Sequence, residues 1–222
     1  MDKFLPIIQN STIFNGIDQI VIKKALLYLN PKIQNYKKEE KILSAGNKIN
    51  NIGIILHGNA LIIEDDYWGN RNIISKILPG KSFAGAFALS NSHILNVSIV
   101  ADSNCIILYL NMNKLINMCL NNHSLYFQII KNLMVDFAEK NIKLNEKLTH
   151  MSRRSIKQKI LSYLSFEAIK HNHYEFDINF NRQELADYLS VDRSALSNEL
   201  CKLRNDGILN FKKNHFILYK KN

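Results

Sequence analysis

At 222 residues the chain suits two small domains, and its 46% hydrophobic content is too high for a disordered polymer. No apolar run approaches the roughly 18 residues of a membrane span. The opening MDKFLPIIQNSTIF is a poor signal peptide, so a cytoplasmic protein with no membrane partner is expected. A net charge of +10 points to a polyanionic partner.

Part of that charge belongs to a general excess of Asn, Ile and Lys, so its distribution says more than its total. Residues 1–149 carry 16 Lys and Arg against 11 Asp and Glu, while residues 150–222 carry 13 against 8 in half the length. Positive density is concentrated toward the C-terminal end. Cys105, Cys119 and Cys201 are widely separated, with no CxxC pair, which argues against a disulfide framework or a cysteine metal cluster.

Residues 1–120 form the first predicted domain. NGIDQIVIKKALLYLN places Ile20, Ile22, Leu26, Leu27 and Leu29 on roughly one side of a short helix. Short strand-like pieces follow, punctuated by glycine: Ile42-Leu43, Gly46, NIGIILHGNALIIEDD, a hairpin tip in YWGNR at Gly69-Asn70, and NIISKILPG. SIVADSNCIILYL supplies the last strands. Regular short strands with turn signals indicate an antiparallel barrel or sandwich.

Residues 121–149 read as one long helix, from about Asn122 to Leu148, without Pro or Gly. Ile130, Leu133, Phe137 and Leu144 recur at spacings of 3, 4 and 7, the stripe of a two-stranded seam between copies of the chain. A helix packed on its own domain shows the same pattern. Length favours the dimer, because about 40 Å of helix at 1.5 Å per residue outruns a small barrel.

Residues 150–222 read helix, short strand, helix, turn, helix and two strands. RRSIKQKILSYLSFEAIK offers Ile156, Ile160, Leu164 and Ile169 as an apolar face, EFDINF alternates as a strand, and GILNFKKNHFILYK is a strand pair around Lys213-Asn214. The result is a winged helix-turn-helix, within an α+β chain. In RQELADYLSVDRSALSNELCKLRNDGIL, Leu185, Ala186 and Leu189 face inward from the first helix, and Val191 plugs the turn. Asp192 stands where an N-cap belongs, and Ala195, Leu196, Leu200 and Leu203 repeat at helical spacing. Arg193, Ser194, Ser197, Asn198 and Lys202 are left on the outer face, where arginine pairs with guanine and asparagine with adenine. Arg182 and Gln183 at the start of the first helix, and Lys212 and Lys213 on the wing, complete the candidate DNA contacts.

Across nearly all 222 residues this order of barrel, long helix and winged helix-turn-helix resembles the Crp/Fnr superfamily of bacterial transcription regulators. The likeness rests on AGNKINNIGIILHGNALI and LPGKSFAGAFALS in the first domain, the latter similar to the family's phosphate-binding cassette, and on RQELADYLSVDRSALSNELCKLRNDGIL in the last. It implies an antiparallel β-roll of the cyclic-nucleotide-binding type and a homodimer on a palindromic double-stranded DNA site, with RNA polymerase as a further partner.

The sensor departs from the family pattern. Members that bind cyclic AMP carry Gly-Glu in the cassette and Arg-Ser or Arg-Thr about ten residues later, the glutamate meeting the ribose and the arginine the cyclic phosphate. Here the cassette reads Gly85-Ala86, and Asn96-Val97-Ser98 stands at the arginine position, so neither charge is present. Phe83, Gly85, Ala86, Phe87, Asn96 and Ser98 are the expected lining of an effector pocket that does not take cyclic AMP. The N-terminus lacks the cysteines of the oxygen-sensing members, so no iron–sulfur cluster is expected.

The recognition helix departs too. Members reading a TGTGA-type half-site use Arg-Glu and a second Arg; this chain keeps Arg193, replaces the glutamate by Ser194 and the second arginine by Asn198, and has Ser197 in common with the oxygen-sensor branch. RQELADYLSVDRSALS looks most like a Firmicute and anaerobe branch that includes nitrosative-stress regulators of the hybrid-cluster protein, which implies haem and nitric oxide. Haem needs an axial donor, for which His150, at the junction of the long helix and the last domain, and His93, after the cassette, are the candidates. His57, His123, His171, His173 and His215 stand at no metal-ligand spacing.

Two other classes compete with a transcription regulator. An enzyme is disfavoured, since no P-loop, nucleophile elbow, HExxH or Rossmann glycine set is present. A ligand-binding signalling module with weak DNA binding is separated from a regulator by DNA binding at physiological salt.

Overall fold

The computed structural model describes residues 2–65, 67–68, 71–120 and 123–219; the turn expected at Gly69-Asn70 lies outside the described residues. The chain forms two compact units, Met1–Asn70 with Ile74–Asn141, and Ile142–Asn222 with Arg71–Ile73. The long helix is therefore divided between the units rather than standing as a segment of its own.

The first unit opens with α1 (Leu5–Gln9) and α2 (Gln19–Leu29), then β1 (Lys32–Tyr36), β2 (Lys41–Leu43), β3 (Asn51–His57), β4 (Ala60–Asp65) and β5 (Arg71–Ile77). β6 (Ser82–Phe83), α3 (Gly85–Leu89), β7 (Ser98–Ala101), β8 (Cys105–Asn111) and α4 (Met112–Leu120) come next, and α5 (His123–Met151) leaves the unit. The strands form two four-stranded sheets, ordered β1-β8-β3-β6 and β2-β7-β4-β5. Their named pairings are antiparallel. This is the antiparallel β-roll that the resemblance implied.

The core of the roll is aliphatic and dense: Ile52, Ile54, Ile55, Ile63 and Ile107 are fully buried. Each such side chain removed from water stabilises the fold by about 1.5–3 kcal/mol. β3 is covered on both faces, which is why it reads as a continuous apolar run rather than an alternating one. Within it Gly53 pairs with Phe83, and a Cβ on Gly53 would come within 2.1 Å of Phe83 Cζ. The aromatic ring lies across the one position on the strand without a side chain.

α2 corrects the expected helix face. It buries Ile22, Ala25, Leu26 and Leu29, a stripe at spacings of 3, 1 and 3, while Ile20 and Leu27 are exposed. At 100° per residue those two residues lie well away from the buried stripe.

α5 carries the larger correction. Leu125, Ile129 and Leu133 are buried in the core of the first unit, with Phe137 half-buried against it, and Ile130 is half-buried. The expected seam of Ile130, Leu133, Phe137 and Leu144 thus lies partly on the face that docks the helix onto its own roll. Only Leu144 of the four is exposed. Periodicity finds a stripe; it does not say what covers it. The outward stripe of the first unit's portion is Phe127, Met134 and Ala138, with Phe127 71% and Met134 66% exposed.

In the second unit, α6 (Ile156–His171), β9 (Glu175–Asp177), α7 (Arg182–Leu189), α8 (Arg193–Asn205), β10 (Leu209–Lys212) and β11 (His215–Leu218) make the winged helix-turn-helix. The wing is an antiparallel sheet in the order β10-β11-β9. α6 buries Ile160, Tyr163, Leu164 and Ala168; Ile169, placed on the apolar face from sequence, is exposed because it lies about 100° beyond Ala168.

Candidate nucleic-acid interface

Three local devices set the angle between α7 and α8. α7 starts with a reciprocal capping box: Glu184 N donates to Asn181 Oδ1, and Asn181 N donates to Glu184 Oε2, both at 3.0 Å. It ends at Ser190 in the left-handed conformation, with φ of 49°, and Val191 N donates back to Ala186 O. α8 then begins at Asp192, whose Oδ1 accepts from Ser194 N and Ala195 N. These bonds hold the Asp192 carboxyl below its ordinary value, the Ser194 hydroxyl contributing most. Lys159 of α6 donates to the Leu189 carbonyl at 3.1 Å, placing a cation at the negative end of α7.

Packing completes the pair. Leu185, Ala186 and Leu189 on α7 and Leu196, Leu200 and Leu203 on α8 are fully buried. The small Ala186 lets the two helices approach. Arg193, Ser194, Asn198 and Lys202 are exposed and Ser197 is half-buried. Arg193 heads α8 and is free to extend from its first turn. Ser194 Oγ donates to Asp192 Oδ1, so its hydroxyl proton is engaged and it is left as an acceptor, suited to a base amino group. Lys202 pairs with Glu199 at 3.7 Å on the rim of this face.

Sequence reasoning passed over Cys201, which is exposed on α8 four residues after Ser197 and seven after Ser194. That spacing puts its thiol on the same outer stripe. Two other expected contacts are otherwise engaged. Gln183 Nε2 donates to Asp187 Oδ1 along α7. Arg182 is folded beneath the wing, its guanidinium stacked on Phe211 and Phe216 and its Nη2 donating to the Lys213 carbonyl. Burial lowers its pKa. Lys212 and Lys213 are exposed at the wing turn, Lys213 with φ of 54°.

The six residues expected around an effector differ in burial. Phe83 and Gly85 are buried in the roll; a Cβ on Gly85 would meet Ile52 Cδ1 at 2.7 Å. Ala86 is exposed on α3 and Phe87 half-buried. Asn96 and Ser98 line a cavity of about 230 Å³ with Lys41, Ile63, Glu64 and Asp65. Phe83 lies on β6 of the first sheet, with α3 after it, and Ser98 on β7 of the second.

The two histidines expected as haem donors stand in different surroundings. His150 is buried, its Nδ1 2.9 Å from Ser162 Oγ, its ring edge-on to Tyr163 and Phe166. Burial, with Arg153 nearby, lowers its pKa and keeps it neutral in an aromatic cluster. His93 is half-buried in a left-handed turn, with φ of 53°. Neither ring opens on the cavity above or on a second, of about 410 Å³, lined by Tyr36, His57 and Cys105 among others. His150 is thus placed as a packing residue, whereas His93 Nδ1 is shielded from solvent and meets no hydrogen-bond partner among the described residues.

Residues 33–122 match the cyclic nucleotide-binding domain family, and residues 158–221 match the Crp-like helix-turn-helix domain family. No curated protein matches the sequence. Solved structures share the fold at low identity. The c-di-GMP-responsive global regulator CLP of Xanthomonas campestris is 16% identical with a TM-score of 0.72, the alignment covering 92% of this chain and 100% of that one. A CooA mutant from Carboxydothermus hydrogenoformans is 16% identical with a TM-score of 0.71, covering 96% and 89%. FixK2 from Bradyrhizobium japonicum is 17% identical with a TM-score of 0.67, covering 86% and 93%. Among the described residues no helix is long and apolar enough to cross a membrane.

The wing carries a titrating contact. His215 Nδ1 lies 3.1 Å from Asp177 Oδ1 and Nε2 3.1 Å from Glu175 Oε1, so β11 is tied to β9 by one imidazolium between two carboxylates. Those bonds, Asp177 first, raise the His215 pKa above its ordinary 6.5. Stabilisation of the β9–β11 pairing is therefore complete below pH 6.5 and is lost as pH rises through the raised folded value. Amide exchange at Phe216 and Leu218, corrected for intrinsic rate, is expected to speed up across that window, and His215→Gln to remove the dependence. An equal pH dependence in the variant would assign it to another group.

Proposed function

The chain belongs to the Crp/Fnr family of DNA-binding transcription regulators, and from that premise we propose that it acts as a homodimer on a palindromic site, under an effector other than a cyclic nucleotide. The observation that carries this reading is the outer face of α8. A capped helix presents Arg193, Ser194, Ser197 and Asn198 in one stripe, flanked by the wing lysines. Base-edge donors on a helix supply sequence readout, and lysines on the flank supply the phosphate contacts that position it.

Two copies are needed to read a palindrome. The outward stripe Phe127, Met134 and Ala138 has the spacing of a helix-pairing surface, and exposed aromatic and methionine side chains at seven-residue spacing favour a second copy of the same helix. This stripe replaces the one expected from sequence.

Cyclic AMP is a poor occupant for two reasons. Phe83 and Gly85 are committed to core packing, and the cavity beside Asn96 and Ser98 sets one lysine, Lys41, against Glu64 and Asp65. A cyclic phosphate there meets no net positive charge, and a desolvated anion without a partner costs several kcal/mol. The likeness to nitrosative-stress regulators rests on residues of the DNA-binding unit and brings no sensor residue with it.

Three outcomes are expected. Arg193→Ala costs about 1–3 kcal/mol on a selected operator and flattens preference at one base pair per half-site; an unchanged selection profile removes α8 from the groove. Phe127→Glu with Met134→Glu gives monomers by light scattering with the roll still folded, and a surviving dimer moves the interface elsewhere. Calorimetry with cyclic AMP shows no binding in the micromolar range; a dissociation constant below about 10 μM, worth roughly 7 kcal/mol, overturns that exclusion.

A further inference from the structure

Arg182, the first residue of α7, does not join the outward-facing side chains around it. Its guanidinium carbon lies 4.7 Å from the ring centroid of Phe211 and 5.0 Å from that of Phe216. Those two phenylalanines are cross-strand partners in the wing, on β10 and β11, with centroids 6.0 Å apart and rings tilted by 30°. Arg204, at the end of α8, reaches Phe211 at 5.2 Å. Phe211 therefore has a cation near it from each of the two helices of the helix-turn-helix.

The remaining polar contact goes to the wing tip. Arg182 Nη2 donates to the carbonyl of Lys213 at 2.8 Å. Lys213 has φ of 54°, a left-handed conformation that a non-glycine residue holds only when its surroundings fix it. Arg182 Nη1 is shielded from solvent and meets no hydrogen-bond acceptor among the described residues. The cation is thus held by two aromatic rings and one carbonyl, an arrangement that suits a planar guanidinium and does not suit the compact ammonium of lysine.

We infer that Arg182 is the positioning residue of the wing. It anchors the β10–β11 turn to the start of α7, so that Lys212 and Lys213 are presented together to the DNA backbone, and it does not itself neutralise a phosphate. The inference rests on the reading of α8 and the wing as the DNA-contacting surface. To reach a phosphate the guanidinium would have to leave both rings and the Lys213 carbonyl, and the tip would lose its tie.

Two measurements on the full chain test this. The first is the salt dependence of binding to an operator selected by the wild-type protein. Arg182→Ala is expected to weaken binding on all sequences alike and to make the slope of log K against log salt shallower by about 1.8, the loss of two phosphate contacts at 0.9 each. Arg182→Lys is expected to behave like Arg182→Ala. In a Lys212→Ala, Lys213→Ala background, Arg182→Ala is expected to leave the slope where it is. A further loss of about 0.9 in that background, or rescue by lysine, would make Arg182 a phosphate contact and overturn the inference.

The second measurement needs no DNA. Amide exchange in the wing, at Lys212, His215 and Ile217, is expected to rise at least tenfold in Arg182→Ala, with the amides of α8 unchanged. Unchanged wing protection would overturn the inference whether or not the protein binds DNA. Wild-type protein that fails to bind any DNA, with wing protection lost in the variant, would instead sink the functional reading and leave the anchoring role in place.

Discussion

The long helix is held in one rotation by a buried carboxylate. Asp136 is 3% exposed and accepts from the Ser82 hydroxyl at 2.7 Å and from the Lys140 ammonium, whose Nζ also donates to Ser82 Oγ. One turn earlier, Asn132 Nδ2 donates to the carbonyls of Ile13 and Asn15, both at 2.8 Å, and Gln128 Nε2 donates to Asn15 O. A pairing of this kind adds little stability over apolar packing, because taking the charges out of water offsets most of their attraction. Its effect is on specificity. Turning α5 by one residue, about 100°, would break the Asp136–Ser82 bond and both bonds of Asn132 to the Ile13 and Asn15 carbonyls, while Lys140, on the same helix, would turn with Asp136. Leu125, Ile129 and Leu133 alone would tolerate such a slip far better. The outward direction of Phe127 and Met134 therefore depends on polar groups on the opposite side of the same helix.

The helix-turn-helix is fixed by a different means, through backbone groups at helix ends. Asn181, Ser190 and Asp192 each satisfy amides or carbonyls that would otherwise be orphaned, and Lys159 closes the end of α7 from a third helix. Because every one of these bonds spans only a few residues or joins adjacent helices, the direction of α8 is largely a local property. That is consistent with a reading head whose chemistry is carried on one short stripe.

This difference in range explains what could be read from the sequence. The helix-turn-helix, its N-cap at Asp192 and the wing turn at Lys213-Asn214 were legible because each is written in a window of a few residues. The β-roll was legible as a class from its turn signals. Three things were not. The seam expected on α5 was drawn through Leu133 and Phe137, which pack on the roll, because two stripes on the helix have similar apolar content, and the residues that face the roll with them, Asn132 and Asp136, are polar ones that periodicity arguments set aside. Arg182 was misread because an arginine at a helix start looks solvent-facing until Phe211 and Phe216 are folded against it. The effector residues were taken from the resemblance to the phosphate-binding cassette, and the burial of Phe83 and Gly85 against β3 could not be read from it. The signal that could have separated them was Gly53: a glycine within a continuous aliphatic strand marks close approach by a large neighbour, here Phe83.

The cassette itself shows geometry kept without its usual chemistry. Ala84 sits at φ of 63° before α3, a left-handed conformation that costs a side-chain-bearing residue roughly 1 kcal/mol, so the turn is held by the packing of its neighbours. On one side of it Gly85 packs on Ile52 with Phe137 of α5 close by, and on the other Ser82 bonds to Asp136. The turn is thus joined to the long helix through both an apolar and a polar contact, while Ala86 offers no carboxylate and Asn96 no cation. The turn therefore keeps an apolar and a polar tie to α5 without either charged group of the cyclic-nucleotide pattern.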